Sequence, residues 1–199
     1  PSAEFPFSVA AKLVGGGDLK LAGKAGPIES ENVALTPCSI TLNIAKLNLA
    51  AAMAAIAPDL AGTAAVEASA DSRDGQLATK AKVRIDGLQL AKNGKPARRA
   101  VQFDFANEFD MAKRAGILRS GSVSVGAASA SLTGTYVERG DQPVLSARLV
   151  AAKAPVPDLA ELLPPLNVSL PKDSRLEGGT VSADGEARHL RLGEGAAHG

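Results

Sequence analysis

The chain has 199 residues, of which 45% are hydrophobic but only 3% aromatic, with no Trp and a single Tyr. That length can bury a real core, in one domain or two small ones. Lys and Arg number 22 against 21 Asp and Glu, which excludes the concentrated basic field of a dedicated nucleic-acid binder, and the aromatic poverty excludes stacking platforms for bases or sugars.

Abundant Ala and few aromatics predict a core of small side chains, thin or spread along an elongated body. Cys38 is the only cysteine, so no intrachain disulfide forms and sulfur leaves the compartment open. Beside Pro37 it reads as a small, half-buried residue. No stretch reaches the roughly 18 apolar residues that a membrane-spanning helix needs. The longest, 47–62, is too short and carries Asn48, Pro58 and Asp59. The chain opens on Pro1 without a signal-peptide pattern and is expected to be a piece of a longer protein.

Period-two alternation dominates from the start, and in a strand that period sends side chains to opposite faces in turn. "FSVAAKLV" sets Phe7, Val9, Ala11 and Leu13 on one side; "GGG" at 15–17 breaks the pattern and "DLKLAGKAG" resumes it. "SITLNIAKLNL" places Ile40, Leu42 and Ile44 together. "NLAAAMAAIAP" then has the composition of a short helix, expected over 49–57 and stopped by Pro58.

"QLATKAKVRIDGLQL" sets Leu77, Thr79, Ala81, Val83 and Ile85 on one side and Lys80, Lys82 and Arg84 on the other. With the Asn93-Gly94 turn signal it predicts a hairpin over 77–111. Its tip "KNGKPARR" carries Lys92, Lys95, Arg98 and Arg99, expected to be exposed, to discourage edge pairing and to add little stability. Asp74-Gly75 and Asp184-Gly185 are further turn signals.

"VQFDFANEFDM", 101–111, holds three of the five phenylalanines. Val101, Phe103, Phe105, Phe109 and Met111 share one parity, and Gln102, Asp104, Glu108 and Asp110 the other. The stretch predicts a strand with one apolar and one acidic side. "SGSVSVG", "ASASLTGTYVE", a turn at "RGDQ" and "VLSARLVAAK" continue the meander. "PDLAELLPP" opens on Pro157 and Asp158 and stops at Pro164, predicting a second helix over 158–163.

Each helical stretch follows a strand ending in Lys (Lys46, Lys153) and precedes a Gly-Thr strand, "AGTAAVEASAD" or "LEGGTVSADGEA". This predicts a weak internal repeat, 46–90 against 153–192. The fold expected is mainly β, an antiparallel, strongly twisted and curved sheet like an open half-barrel, with two short helices. It spans 1–190 as one elongated domain, with a flexible tail at 191–199.

Catalytic constellations are nearly absent. His189 and His198 stand near the C-terminus, in no metal-ligand spacing with Cys38 or each other. "GSVSVG" is strand alternation and no nucleophile elbow. "DLKLAGKAG" resembles a phosphate-binding loop only in Gly23-Lys24, with Ala25 where a hydroxyl should bind magnesium. Asp104, Glu108 and Asp110 form a row on one strand face, without the cage a cation needs. The reading is therefore of a protein that is not an enzyme, with no cofactor and no metal.

Gly126 to Tyr136, "GAASASLTGTY", the "PVL" of Pro143 to Leu145, the "DLAELLP" of Asp158 to Pro164 and the following "LPKDSRLEGGTVSAD" together resemble the C-terminal part of AsmA-family proteins. "PDLAGTAAVEASAD" and "QLATKAKVRIDGLQLAK" fit the same pattern, so the resemblance covers most of 7–187. It implies the periplasmic part of an inner-membrane-anchored envelope protein of Gram-negative bacteria, linked to outer-membrane biogenesis and homeostasis. It also implies a curved sheet with an apolar inside, similar to bridge-like lipid transfer proteins that carry phospholipid between the two membranes. The family brings no catalytic residues.

On that reading Val83, Ile85, Val101, Phe103, Phe105 and Phe109 line the lipid path. Two other readings stand beside it. One is a scaffold that docks an envelope-assembly protein, its β core closed. The other is a plain β-sandwich whose alternation builds a dry core.

Overall fold

A computed structural model describes residues 3–13, 15–29, 31–32, 35–139, 142–169 and 178–191. The centre of "RGDQ", most of "LPKDSRLEGG", and the tail from 192 with His198 lie outside the described residues.

The alternating segments become ten antiparallel strands of one sheet, each paired with its neighbours in sequence. They are β1 Phe5–Lys12, β2 Asp18–Ala25, β3 Cys38–Asn48, β4 Ala61–Arg73, β5 Gln76–Gln89, β6 Val101–Asp110, β7 Ala115–Val125, β8 Ala128–Arg139, β9 Gln142–Pro155 and β10 Thr180–Arg191. The strand order is linear from β1 to β10, so the sheet is open, and two short helices, α1 Leu49–Ala52 and α2 Val156–Ala160, complete it. The sandwich and the closed β core both require a second apolar wall. All ten strands instead belong to the one sheet, which corrects those two expectations for the described residues.

Register keeps the two faces distinct across the whole sheet. One cross-strand row runs Val9, Leu21, Leu42, Ala68, Ala81, Phe105, Gly121, Leu132, Leu149, from β1 to β9. The next runs Leu19, Ile44, Val66, Val83, Phe103, Val123. The opposite face reads Lys20, Asn43, Glu67, Lys82, Asp104, Ser122, setting Lys82 between two carboxylates, an arrangement that stabilises pairing.

The buried core is small and marginal in position. Ala64, Ile85, Val101, Val125 and Ala128 stand in one row at the strand ends, covered by Leu49, Leu88, Ala97 and Ala154, with Leu159 and Leu162 packed against them. Both helices belong to this margin. In α1 the Asn48 carboxamide oxygen accepts from the Ala51 N–H at 3.2 Å, satisfying an orphan donor of the first turn. α1 stops at Ala52 rather than 57 and continues as hydrogen-bonded turns from Met53 to Leu60, because so short a helix holds only where packing supports it. α2 starts two residues earlier than expected, with Pro155 as its cap and Pro157 in the first turn.

β3 and β9 do not end at their lysines. Lys46 and Lys153 take positive φ, 56° and 50°, where the register with the next strand slips. Each strand then resumes for two residues before its helix. Asn48 faces Thr63 and Pro155 faces Thr180 across these helical insertions. Such bulges bend the strand and free the chain to turn.

Two turn expectations are corrected. Asp74-Gly75 does close a two-residue turn, both at positive φ, but Asp184-Gly185 lies inside β10 opposite Val150 and Leu149. There the β9 ladder and the Arg148–Asp184 ion pair at 2.6 Å outweigh a local turn preference. The β5–β6 connection is no free hairpin tip either. Asn93 turns at φ 64°, yet the Leu90 and Ala91 amides donate to the Pro165 carbonyl at 3.0 Å and Lys95 donates to Pro164 at 2.8 Å.

Candidate functional site

The six apolar candidates share one face, as their parity predicts, but the structure divides them. Val101 is 1% exposed and Ile85 8%, sealed beneath the helical margin. Val83 and Phe103, paired across β5 and β6, pack half-buried against that core. Phe105, one step further along β6, is 41% exposed. Phe109, beyond it, stacks on Tyr136. The face therefore grades from a covered edge to an uncovered centre. Val9, Leu132 and Leu149, in the same cross-strand row as Phe105, are also exposed. Sequence reasoning singled out only β5 and β6; the same alternation in β1, β8 and β9 was the signal for the rest.

The opposite face is polar and locally charge-paired. Arg119 donates from Nε and Nη2 to Glu108 at 2.9 and 2.6 Å, and the guanidinium holds the Glu108 carboxyl below its usual range. Arg119 stands at a bulge in β7, where the register slips against both β6 and β8. Asp110 accepts from the Lys113 ammonium at 2.8 Å and the Lys113 amide at 2.9 Å. These contacts, with Gln76, push its carboxyl far below the ordinary carboxylate value. Glu108 and Asp110 of the β6 acidic row are thus each held in an ion pair. Gly23-Lys24 lies within β2, in extended chain and not in a phosphate-cradling loop.

Surface clefts open on this polar side. One, about 620 Å³, is lined by Lys20, Glu67, Lys80, Lys82 and Asp104 together with Thr41 and Ser69. A second, about 840 Å³, lies between Lys24, Asp71, Arg73 and Glu108. Among the described residues no group of three His, Cys, Asp or Glu is placed to hold a metal ion, and no helix is long and apolar enough to cross a membrane.

One charged group is buried where the sequence suggested only a helix start. Asp158, 7% exposed, does not cap its own helix. Its Oδ2 accepts from the Ala127 N–H at 2.7 Å in the β7–β8 turn, and its Oδ1 meets Arg99 Nη1 at 2.7 Å. Arg99 is therefore not the idle surface charge the basic tip was expected to carry. It ties the β5–β6 loop to α2 and holds the covered margin in place.

No family model matches the chain, and no curated protein and no solved structure matches it.

Proposed function

We propose that this chain is a non-enzymatic segment of a periplasmic AsmA-like protein of the Gram-negative cell envelope. In this reading its apolar face forms part of a phospholipid path between the inner and outer membranes and serves outer-membrane homeostasis. The family part of the proposal rests on the motifs quoted above. The physical part rests on one observation, an apolar row crossing nine strands of a single-layer sheet with Phe105 at its centre 41% exposed.

Apolar area left in water is unfavourable by roughly 25 cal/mol per Å², and extended apolar patches mark sites that something covers. The composition of the face favours acyl chains as the cover. Protein interfaces concentrate their energy in Trp, Tyr and Arg anchors, whereas this face offers mainly Ala, Val, Leu, Ile and Phe, with one Tyr and a few small polar residues such as Ser72, Thr79 and Asn107. Such a surface suits a fluid chain that needs no fixed partner geometry.

The test is to mix the purified chain with phosphatidylglycerol and phosphatidylethanolamine vesicles, re-isolate it and examine it by native mass spectrometry. Bound phospholipid is expected, lost in Phe105→Asp. Protein that emerges without lipid would overturn the reading. The edges of the sheet favour a second one, in which an envelope-assembly protein docks by strand addition: β1 and β10 each have one neighbour. A stoichiometric protein complex that forms on lipid-free material would favour it.

A further inference from the structure

The only tyrosine of the chain stands on the apolar face. Tyr136 of β8 lies opposite Gly116 of β7, which lies opposite Phe109 of β6. Gly116 has no side chain, so the phenol ring lies across it; a Cβ there would fall on the ring itself. The ring reaches Phe109 and stacks on it, with centroids 5.9 Å apart and planes 10° from parallel. Asn107, on the same face of β6, donates from Nδ2 to Tyr136 Oη at 3.0 Å. Three contacts thus fix one hydroxyl on a face built mainly of hydrocarbon.

The hydrogen-bonding capacity of this pair is not used up. A phenol oxygen that accepts a hydrogen bond still has its own proton to donate, and no acceptor for that proton is found among the described residues. Asn107 Oδ1 is buried with no partner among the described residues, an arrangement that costs free energy unless a further group reaches it. Phe at 136 would keep the stack and the cover over Gly116, so what the hydroxyl adds is the hydrogen bond from Asn107 and a proton left to donate.

We propose that Tyr136 is a specificity-determining residue whose hydroxyl donates to a carbonyl oxygen of a bound amphiphile, the ester or amide that joins its acyl chain to its polar part. This rests on the lipid-facing reading of the apolar face and adds where the ligand sits and which linkage it carries. The spacing supports it. From Phe109, under the Tyr136 ring, to Phe103, where the helix-covered core begins, six strand residues span roughly 20 Å. Half of a bilayer's hydrocarbon core is roughly 15 Å. A chain anchored by its carbonyl at Tyr136 and laid along β6 therefore covers Phe105 and stops short of Phe103 and the covered margin, so the uncovered stretch is long enough to hold it.

The experiment compares diacyl phosphatidylglycerol with the dialkyl-ether lipid of the same headgroup and chain length, which differs in lacking the carbonyls. The full chain should bind the ester lipid about fivefold more tightly, the worth of one hydrogen bond. Tyr136→Phe should bind both lipids equally, at the strength the native chain shows for the ether, with its melting temperature lowered by only a few degrees through loss of the Asn107 hydrogen bond. Equal binding of the two lipids by the native chain overturns the proposal without any variant, and leaves the lipid-facing reading standing. A preference that survives in Tyr136→Phe overturns it as well. If neither lipid binds, the lipid-facing reading itself falls.

Discussion

Arg99 Nη1 lies 2.7 Å from Asp158 Oδ1, and this contact joins the loop between β5 and β6 to the helix after β9. The carboxylate is buried and also receives the Ala127 N–H, while the guanidinium stays half in water. Hydrogen bonds to charged groups contribute about 1.5–3 kcal/mol, so Asp158→Ala should destabilise by about 2–3 kcal/mol, a fall of roughly 4–12 °C in melting temperature for a chain of this size. Arg99→Ser should cost about 1–2 kcal/mol by leaving a buried carboxylate short of its partner. Lys92→Ser, Lys95→Ser and Arg98→Ser should each stay within about 0.5 kcal/mol. Thermal melts of the four loop variants check this, and Arg99→Ser behaving like the others would contradict it.

Val101 and Phe105 share a strand and a face but not an environment, being 1% and 41% exposed. Val101→Asp buries a carboxylate without a partner, a cost of several kcal/mol that a marginally stable domain does not survive. Phe105→Asp leaves its carboxylate in water, so the loss is confined to apolar contacts and strand propensity, about 1–2 kcal/mol. Circular dichroism should show an unfolded Val101→Asp and a folded Phe105→Asp. Two unfolded variants would mean that the centre of the face is as sealed as its margin.

Acid should weaken the sheet through Asp110 and Glu108. Both carboxyls are held below their usual values, by Lys113 and by Arg119, so each binds protons less readily folded than unfolded. Their contribution is complete above the unfolded value, about 4, and is lost as pH falls through the lower folded value. Denaturant melts from pH 6 down to pH 2 should therefore show stability falling, and falling less steeply in Asp110→Asn with Glu108→Gln. Added salt should shrink the difference, since the cation of each pair is exposed. Native and variant curves of the same shape would refute the assignment.

Gly116 is required by the ring above it. Gly116→Ala places a methyl group where the Tyr136 ring lies, forcing the ring off Phe109 and away from Asn107. A cost of about 1–3 kcal/mol is expected, as for other overpacking changes. Tyr136→Ala should relieve it, so the double variant should be less destabilised than the sum of the two single ones. Strict additivity in urea melts would show that the ring has another place to go.

Much of the fold was legible because a strand's period is two, and one parity carried the apolar residues from Phe7 to Leu149. The meander, the Asp74-Gly75 turn and the grouping of Phe103, Phe105 and Phe109 followed from that local pattern. What the pattern does not encode is distance along the strand from the covered margin. Val101 and Phe105 read alike in sequence, and only the helices packed at one end separate them. Asp158 looked like a helix start because its acceptor role at the β7–β8 turn is 31 residues away in sequence. Asp184-Gly185 has turn chemistry but sits where β9 supplies a full ladder. Arg99 was indistinguishable from the exposed charges beside it until α2 was placed.

The central claim is that acyl chains lie on one face of this sheet, and neighbouring residues of β6 test it directly. Phe105 points to the apolar face and Asp104 to the polar one, as their cross-strand partners Ala81 and Lys82 show. A photoreactive diazirine amino acid placed at 105 or at 104, irradiated in the presence of phospholipid vesicles, reports by mass spectrometry what touches each side. The account predicts lipid adducts from 105 and few from 104. Equal labelling from both positions, or lipid-free protein from 105, would contradict it.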